Sequence, residues 1–331
     1  MCEYSAVDGV PNDWHFVHLG SRAVGGAGLV LTEATAVEPE GRISPADTGI
    51  YNDEQVSAWA KIVGFIEEHG SVAGIQLAHA GRKASTAAPW KGGKLAPHSE
   101  GGWEEIYAPS PLRFAEGYGD PIELDRAGIQ RVIDAFTEGA RRSLVAGFKV
   151  VEIHGAHGYL VHQFLSPLSN QRTDEYGGTL ENRMRFALEA SAAVREVWPD
   201  ELPVLFRISA SDWAEGGWDV EQSVELCRRL KDLGIDLIDV SSGGAVPHAK
   251  IEIGPGYQVP FAERIRKESG MATGAVGMIT EPAQAEEIVS SGKADMVFLA
   301  RELLRDPYWP RRAAKELGAS IEAPKQYARA W

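Results

Sequence analysis

At 331 residues, with 44% hydrophobic and 24% charged side chains, the chain has the balance of a soluble globular enzyme with a sizeable core. A formal net charge of −14 excludes a nucleic-acid binder, because phosphate recognition needs a basic face. Cys2 and Cys227 are the only cysteines, so no disulfide framework or cysteine-ligated iron–sulfur cluster is available, and no apolar run is long enough to span a membrane. The opening Met1-Cys2-Glu3-Tyr4-Ser5-Ala6 is no signal peptide, which makes the cytoplasm the expected location.

In chain order, short apolar and β-branched runs predict strands at residues 28–33, 72–78, 150–154, 204–208, 237–241, 272–276 and 296–299. Between them, helical periodicity marks residues 53–68, 129–146, 182–198, 220–233 and 282–291. In the third of these helices Asn182 is the expected N-cap, and Phe186, Leu188, Ala192 and Val194 form its apolar face. Alternating strand–helix units of this kind predict an α/β fold, a (β/α)8 TIM barrel forming one domain over residues 1–331. A doubly wound sheet would place a Gly-rich turn after its first strand, and none is present. An eighth strand is missing, and its natural place is ahead of Met1. Residues 84–125 are too long for a barrel loop and read as a capping insertion, with Trp90, Trp103, Tyr107 and Phe114 to order it.

The most informative stretch is residues 148–160. The run Phe148-Lys149-Val150-Val151-Glu152-Ile153 reads as a buried strand that stops at His154. His154, His157 and Tyr159 follow, with Gly155 and Gly158 expected to turn the backbone so that the three rings share one pocket. Two neutral imidazoles can donate to one carbonyl oxygen, and a phenol can supply a proton. The same H-x-x-H spacing is also half of a zinc site, and a His after a strand can be a plain loop residue.

Barrel active sites lie at the C-terminal strand ends. Those ends carry Thr32-Glu33-Ala34-Thr35-Ala36, where small residues let a flat ring approach, then Gln76 with His79-Ala80-Gly81-Arg82-Lys83, then Arg207, Gly277, and Ala300-Arg301. Singly, each has a structural explanation: Arg207 can pair with Asp239, and Arg301 can cap Glu302. Together they supply an amide for ring heteroatoms, a cation for a charged ring edge and a backbone cradle for phosphate, the equipment of a flavin mononucleotide (FMN) site.

On these residues the chain resembles an old yellow enzyme, and is most similar to the thermophilic-like ene-reductase and xenobiotic reductase branch. The motifs are Met1-Cys2-Glu3-Tyr4-Ser5, His79-Ala80-Gly81-Arg82-Lys83, His154-Gly155-Ala156-His157-Gly158-Tyr159-Leu160, Phe164-Leu165-Ser166-Pro167, Asn170-Gln171-Arg172-Thr173-Asp174-Glu175-Tyr176-Gly177-Gly178 and Glu181-Asn182-Arg183. The resemblance implies an NAD(P)H-dependent ene-reductase that contains FMN and acts on α,β-unsaturated carbonyl compounds. It implies that Met1, Cys2, Ala36, Gln76, Arg207, Gly277, Ala300 and Arg301 hold FMN, with Cys2 modulating its redox behaviour. It also implies that His154 and His157 grip the substrate carbonyl with Tyr4 and Lys83 nearby, and that Tyr159 gives the proton. Arg329 would reach into a neighbouring subunit, making the protein a homodimer or homotetramer that acts on small molecules, with no nucleic-acid or membrane partner and no metal. The sequence departs from the family pattern at its start, where relatives carry a first strand before the Met-Cys pair; the expectation is an internal methionine or an impaired form. Two rival readings stay open: a metal-dependent barrel hydrolase built on His154 and His157, and a flavin-binding barrel without activity.

Overall fold

The computed structural model describes the whole chain, Met1–Trp331. Its strands are β1 (Leu29–Ala36), β2 (Val72–Ala78), β3 (Tyr107–Ala108), β4 (Ile122–Glu123), β5 (Val150–Gly155), β6 (Val204–Ser209), β7 (Leu237–Ser241), β8 (Ala272–Ala275) and β9 (Met296–Val297). Its helices are α1 (Asp13–Val24), α2 (Asp53–Glu68), α3 (Arg126–Ala146), α4 (Leu160–Leu165) and α5 (Leu180–Val197). They continue with α6 (Val220–Asp232), α7 (Val259–Ser269), α8 (Pro282–Ser290), α9 (Arg301–Arg305) and α10 (Trp309–Glu316). The seven strands expected from the sequence form one sheet in the order β1-β2-β5-β6-β7-β8-β9, every pair parallel, curled into a barrel with helices outside. β1 and β9 are the two edges of that order and do not pair with each other.

A period of two sorts each strand into what it sends inward. Leu29, Val150, Leu205, Leu237, Ala272, Met296 and Phe298 pack together and close the floor of the barrel. Two residues further along, β2, β5, β6 and β7 carry Gln76, Glu152, Arg207 and Asp239. Two further again stand His154, Ser209 and Ser241. The interior therefore passes from apolar floor to charged layer to polar mouth. The opposite strand faces join the large outer core, where Trp59, Phe136, Phe148, Phe186 and Phe206 are almost fully enclosed.

Element ends follow local chemistry, and the α5 cap and the end of β9 differ from expectation. Asn52 caps α2 through Gln55 in a reciprocal capping box, and Asp125 caps α3. The α5 cap is Thr179, whose hydroxyl accepts from the Asn182 N–H at 3.3 Å, not Asn182. Asn182 instead donates its amide to the Gly177 carbonyl at 3.1 Å and so ties down the preceding loop. β9 ends at Val297, two residues earlier than expected.

β1 carries one irregularity that matters below. Leu31 pairs with Gly74 and Ala34 with Gln76, so three steps on β1 match two on β2. Such a bulge re-aims the side chains within it, here Thr32 and Glu33. Residues 84–125 are ordered, with β3 paired to β4 and Thr86 bridged to Leu95. Lys83 Nζ sits 4.4 Å from the Phe114 ring centroid and the Arg42 guanidinium 5.1 Å from that of Trp103, so cationic stems anchor the insertion. No helix is long and apolar enough to cross a membrane.

Candidate active site

The three rings expected to share a pocket do so. The His154 ring lies 5.2 Å from His157 and 5.1 Å from Tyr159, edge to face in both cases. The backbone reaches this arrangement differently from expectation. Gly155 is the last residue of β5 and does not turn; a Cβ there would come within 2.2 Å of Phe206 Cζ, so it is needed for close packing. The turn is made by Gly158 at φ +72° and by His157 itself at φ +58°, a left-handed conformation costly for a residue with a Cβ.

Four hydrogen bonds hold that turn. The His157 N–H donates to Ser209 Oγ at 2.9 Å, and His157 Nε2 contacts Ser241 Oγ at 2.7 Å. The Gly158 N–H donates to His162 Nδ1 at 2.9 Å, and the Ala156 N–H to His154 Nδ1 at 3.3 Å. The last fixes a tautomer: with Nδ1 accepting, the proton of neutral His154 sits on Nε2, free to donate. Burial, reinforced by the Arg207 charge, holds both imidazoles well below the ordinary histidine range, so both are neutral at pH 7. Burial raises Tyr159 well above the usual phenol range, so it keeps its proton. Lys83, pushed down to about 8 by burial and by Arg82, donates to the carbonyls of His157 and Gly244 at 2.8 and 3.0 Å.

Beneath the rings lies the charged layer. Gln76 Nε2 donates to Glu152 Oε1 at 2.6 Å, and Arg207 Nε approaches Asp239 Oδ2 at 3.2 Å without hydrogen-bond geometry. The expected pairing of Arg207 with Asp239 is thus present, yet it leaves Arg207 Nε, both Asp239 oxygens and Glu152 Oε2 buried without a hydrogen bond. Glu152 is raised to about 8 by burial and by Asp239, and Asp239 is raised by burial. A layer so short of partners presents buried polar atoms that a polar ligand can satisfy.

The other expected residues separate into four groups. Gly277, at φ +120°, would bring a Cβ to 2.8 Å from Gln258 Nε2, and α9 starts at Arg301, after Ala300, with no side chain capping it. Cys2 packs with Tyr159 and Trp103 against Ala34, Ala78 and Ala84, while Tyr4 meets the Trp90 ring edge at 5.5 Å. Ala36 is enclosed, with its N–H donated to the Thr48 carbonyl and its own carbonyl accepting from Ile50. Met1 and Arg329 are not gathered in: both are exposed, and the tail of Arg329 folds back so that Trp331 stacks on Tyr308. Sequence reasoning missed Glu152, Ser209, Ser241 and His162. Glu152 was the one with a signal, a lone charge inside a continuous apolar strand.

The only set of three acidic, thiol or imidazole groups close enough to share an ion is Cys2, Glu33 and Asp47, so neither His154 nor His157 belongs to a ligand cluster. The hydrolase reading therefore loses its metal.

Comparison with known proteins agrees with the geometry. Residues 1–319 match the NADH:flavin oxidoreductase / NADH oxidase family. The chain belongs to this family. It is 52% identical to an NADPH dehydrogenase of Geobacillus thermodenitrificans over the whole chain and 92% of that relative's length, and 48% identical to one of Bacillus subtilis over 93% of its length. Morphinone reductase in complex with tetrahydroNAD superposes with a TM-score of 0.79 at 27% identity, covering 99% of this chain and 88% of that one. The old yellow enzyme homologue of Zymomonas mobilis gives 0.79 at 26% identity over 98% and 91%. The protein is thus an NAD(P)H:flavin oxidoreductase with FMN as its flavin, on an old yellow enzyme barrel.

Proposed function

We propose that the protein reduces the C=C bond of α,β-unsaturated carbonyl compounds at the expense of NAD(P)H, with NADPH favoured by the names of its relatives. The residues present fit FMN: Gln76 and Arg207 offer an amide and an under-partnered cation, and Gly277, Ala300 and Arg301 offer backbone at an uncapped helix start. When bound, FMN supplies hydride to the electron-poor β-carbon. The chain's own residues do the rest. His154, through Nε2–H, and His157 donate to the carbonyl oxygen and draw electron density from the β-carbon. Tyr159, protonated and beside His154, delivers a proton to the α-carbon. Cys2 and Tyr4 border the same patch, Lys83 braces the His157 turn, and the 84–125 insertion excludes water above it. Arg329, exposed on its own subunit, is assigned to a neighbouring subunit's site.

The single observation that carries this reading is the neutral His154 with its free Nε2–H in ring contact with both His157 and Tyr159. His154→Ala with His157→Ala should leave FMN bound and lower cyclohexenone turnover by about a hundredfold or more, the usual cost of losing donors to a polarised oxygen. Unchanged turnover in the double variant would refute the assignment. Tyr159→Phe should slow alkene reduction by about a hundredfold while sparing flavin reduction by NADPH. Stopped-flow traces in which only the NADPH half-reaction slows would reassign the tyrosine.

A further inference from the structure

The bulge in β1 turns Glu33 toward the segment before α1, where Cys2 lies, and Asp47 approaches the same point from the loop after β1. One ligand atom from each of Cys2, Glu33 and Asp47 falls within 4.8 Å of the other two. Both carboxylates are buried, at 6% and 1% exposure, and no Lys, Arg or His pairs with Asp47. Asp47 is anchored by one oxygen only: Oδ2 accepts from the N–H groups of Ile43 and Ser44, both at 2.9 Å, while Oδ1 is buried without a hydrogen-bond partner.

Glu33 is oriented from behind in the manner of a metal ligand. Its Oε2 accepts from the Glu3 N–H at 2.6 Å, and its Oε1 lies 3.0 Å from His15 Nε2. His15 Nδ1 accepts from the Asn12 N–H at 3.0 Å, while its Nε2 lies beside Glu33 without hydrogen-bond geometry. Backbone amides that hold one oxygen of each carboxylate are the kind of outer-sphere contact that aims metal ligands. No cationic side chain is paired directly with Asp47, and its Oδ1 is left for a ligand.

We propose that Cys2, Glu33 and Asp47 form a binding site for a thiophilic divalent cation, with Zn²⁺ the best match to one thiolate and two carboxylates. A borderline-soft ion takes sulfur and oxygen together in a small tetrahedral shell, whereas Mg²⁺ rejects the sulfur and demands six oxygens. Three protein ligands leave the fourth position to water. Binding the ion requires the Cys2 thiol to release its proton to solvent. Glu33 keeps its hydrogen bond from the Glu3 N–H. The site does not depend on alkene reduction, and it shares only Cys2 with the flavin pocket.

Equilibrium dialysis of the FMN-loaded protein in chelator-buffered Zn²⁺, followed by elemental analysis, tests it. The expected result is one ion per chain, displaced by Cd²⁺ and not by Mg²⁺. Cys2→Ser and Asp47→Asn should each weaken binding about tenfold or more. Cys227→Ser, a buried thiol elsewhere, should leave it unchanged. Zn²⁺ should also slow alkylation of Cys2 in the wild-type protein. If Asp47→Asn fails to fold, Cys2→Ser and the alkylation rate decide. Absence of saturable binding, or wild-type affinity in Cys2→Ser, would overturn the proposal.

Discussion

His162 meets Asp212 at 2.9 Å and Arg207 meets Asp239 at 3.2 Å, and both carboxylates are enclosed to 1% exposure or less. The surroundings differ. Asp212 also accepts from Ser166 Oγ at 2.5 Å and from the Trp218 N–H at 2.8 Å, while Asp239 accepts no hydrogen bond. Burial is the largest influence on each and raises both. At Asp212 the charge of His162 and the hydrogen bonds from Ser166 and Trp218 outweigh it and hold the carboxyl below the usual range. At Asp239 only Arg207 opposes it, and the carboxyl stays above. Charge pairing alone does not settle a buried carboxylate; hydrogen bonds do. Asp212, with one oxygen satisfied, is structural, since His162 also fixes the Gly158 turn, whereas Asp239 has neither oxygen satisfied and lies where a ligand can complete it.

That contrast can be tested by removing one charge at a time from flavin-free protein. Asp212→Asn should cost about 3–5 kcal/mol in urea unfolding, the penalty for breaking a buried ion pair whose carboxylate also accepts two hydrogen bonds. Asp239→Asn should be far milder, within about 1 kcal/mol of wild type or stabilising, because the wild-type carboxylate is already short of partners. Equal losses would erase the distinction. A pH series sharpens it. Asp212 has a depressed folded value, so its contribution is present above the unfolded value of about 4 and disappears as pH falls through the folded one. Wild type should therefore lose stability more steeply than Asp212→Asn below about pH 4. Glu152 runs in the opposite sense: raised to about 8, its neutral form stabilises the fold at low pH, and that contribution drains away as pH climbs from the unfolded value towards 8. Glu152→Gln should flatten this decline and gain about 1 kcal/mol near pH 8. A variant curve parallel to wild type would mean that Glu152 is already ionised.

Much of this was legible in the sequence, and the reasons differ by element. The seven sheet strands were readable because barrel strands are buried on both faces and appear as unbroken apolar runs. The ring set at His154, His157 and Tyr159 was readable because it is local in sequence. The α5 cap was misplaced because Thr179 and Asn182 are both capping residues and only the backbone decides between them. Gly155 was assigned to the turn although its role is to make room for Phe206, a contact from the next strand that no local pattern reveals. Ser209, Ser241 and His162 were missed for the same reason: they act on His157 and Gly158 from other elements. The β1 bulge was invisible because an extra residue in a strand leaves the apolar run unbroken.

His157 at φ +58° gives the protein an awkward relation to its own improvement. On backbone grounds alone, Gly or Asn suits that position better than an imidazole, and relieving the conformation would be worth of order 1 kcal/mol. A library of variants sorted for heat resistance or soluble yield would therefore enrich replacements at position 157, each of them a better-behaved protein without the donor proposed for the substrate carbonyl. Selections meant to harden this barrel need catalysis scored in the same round.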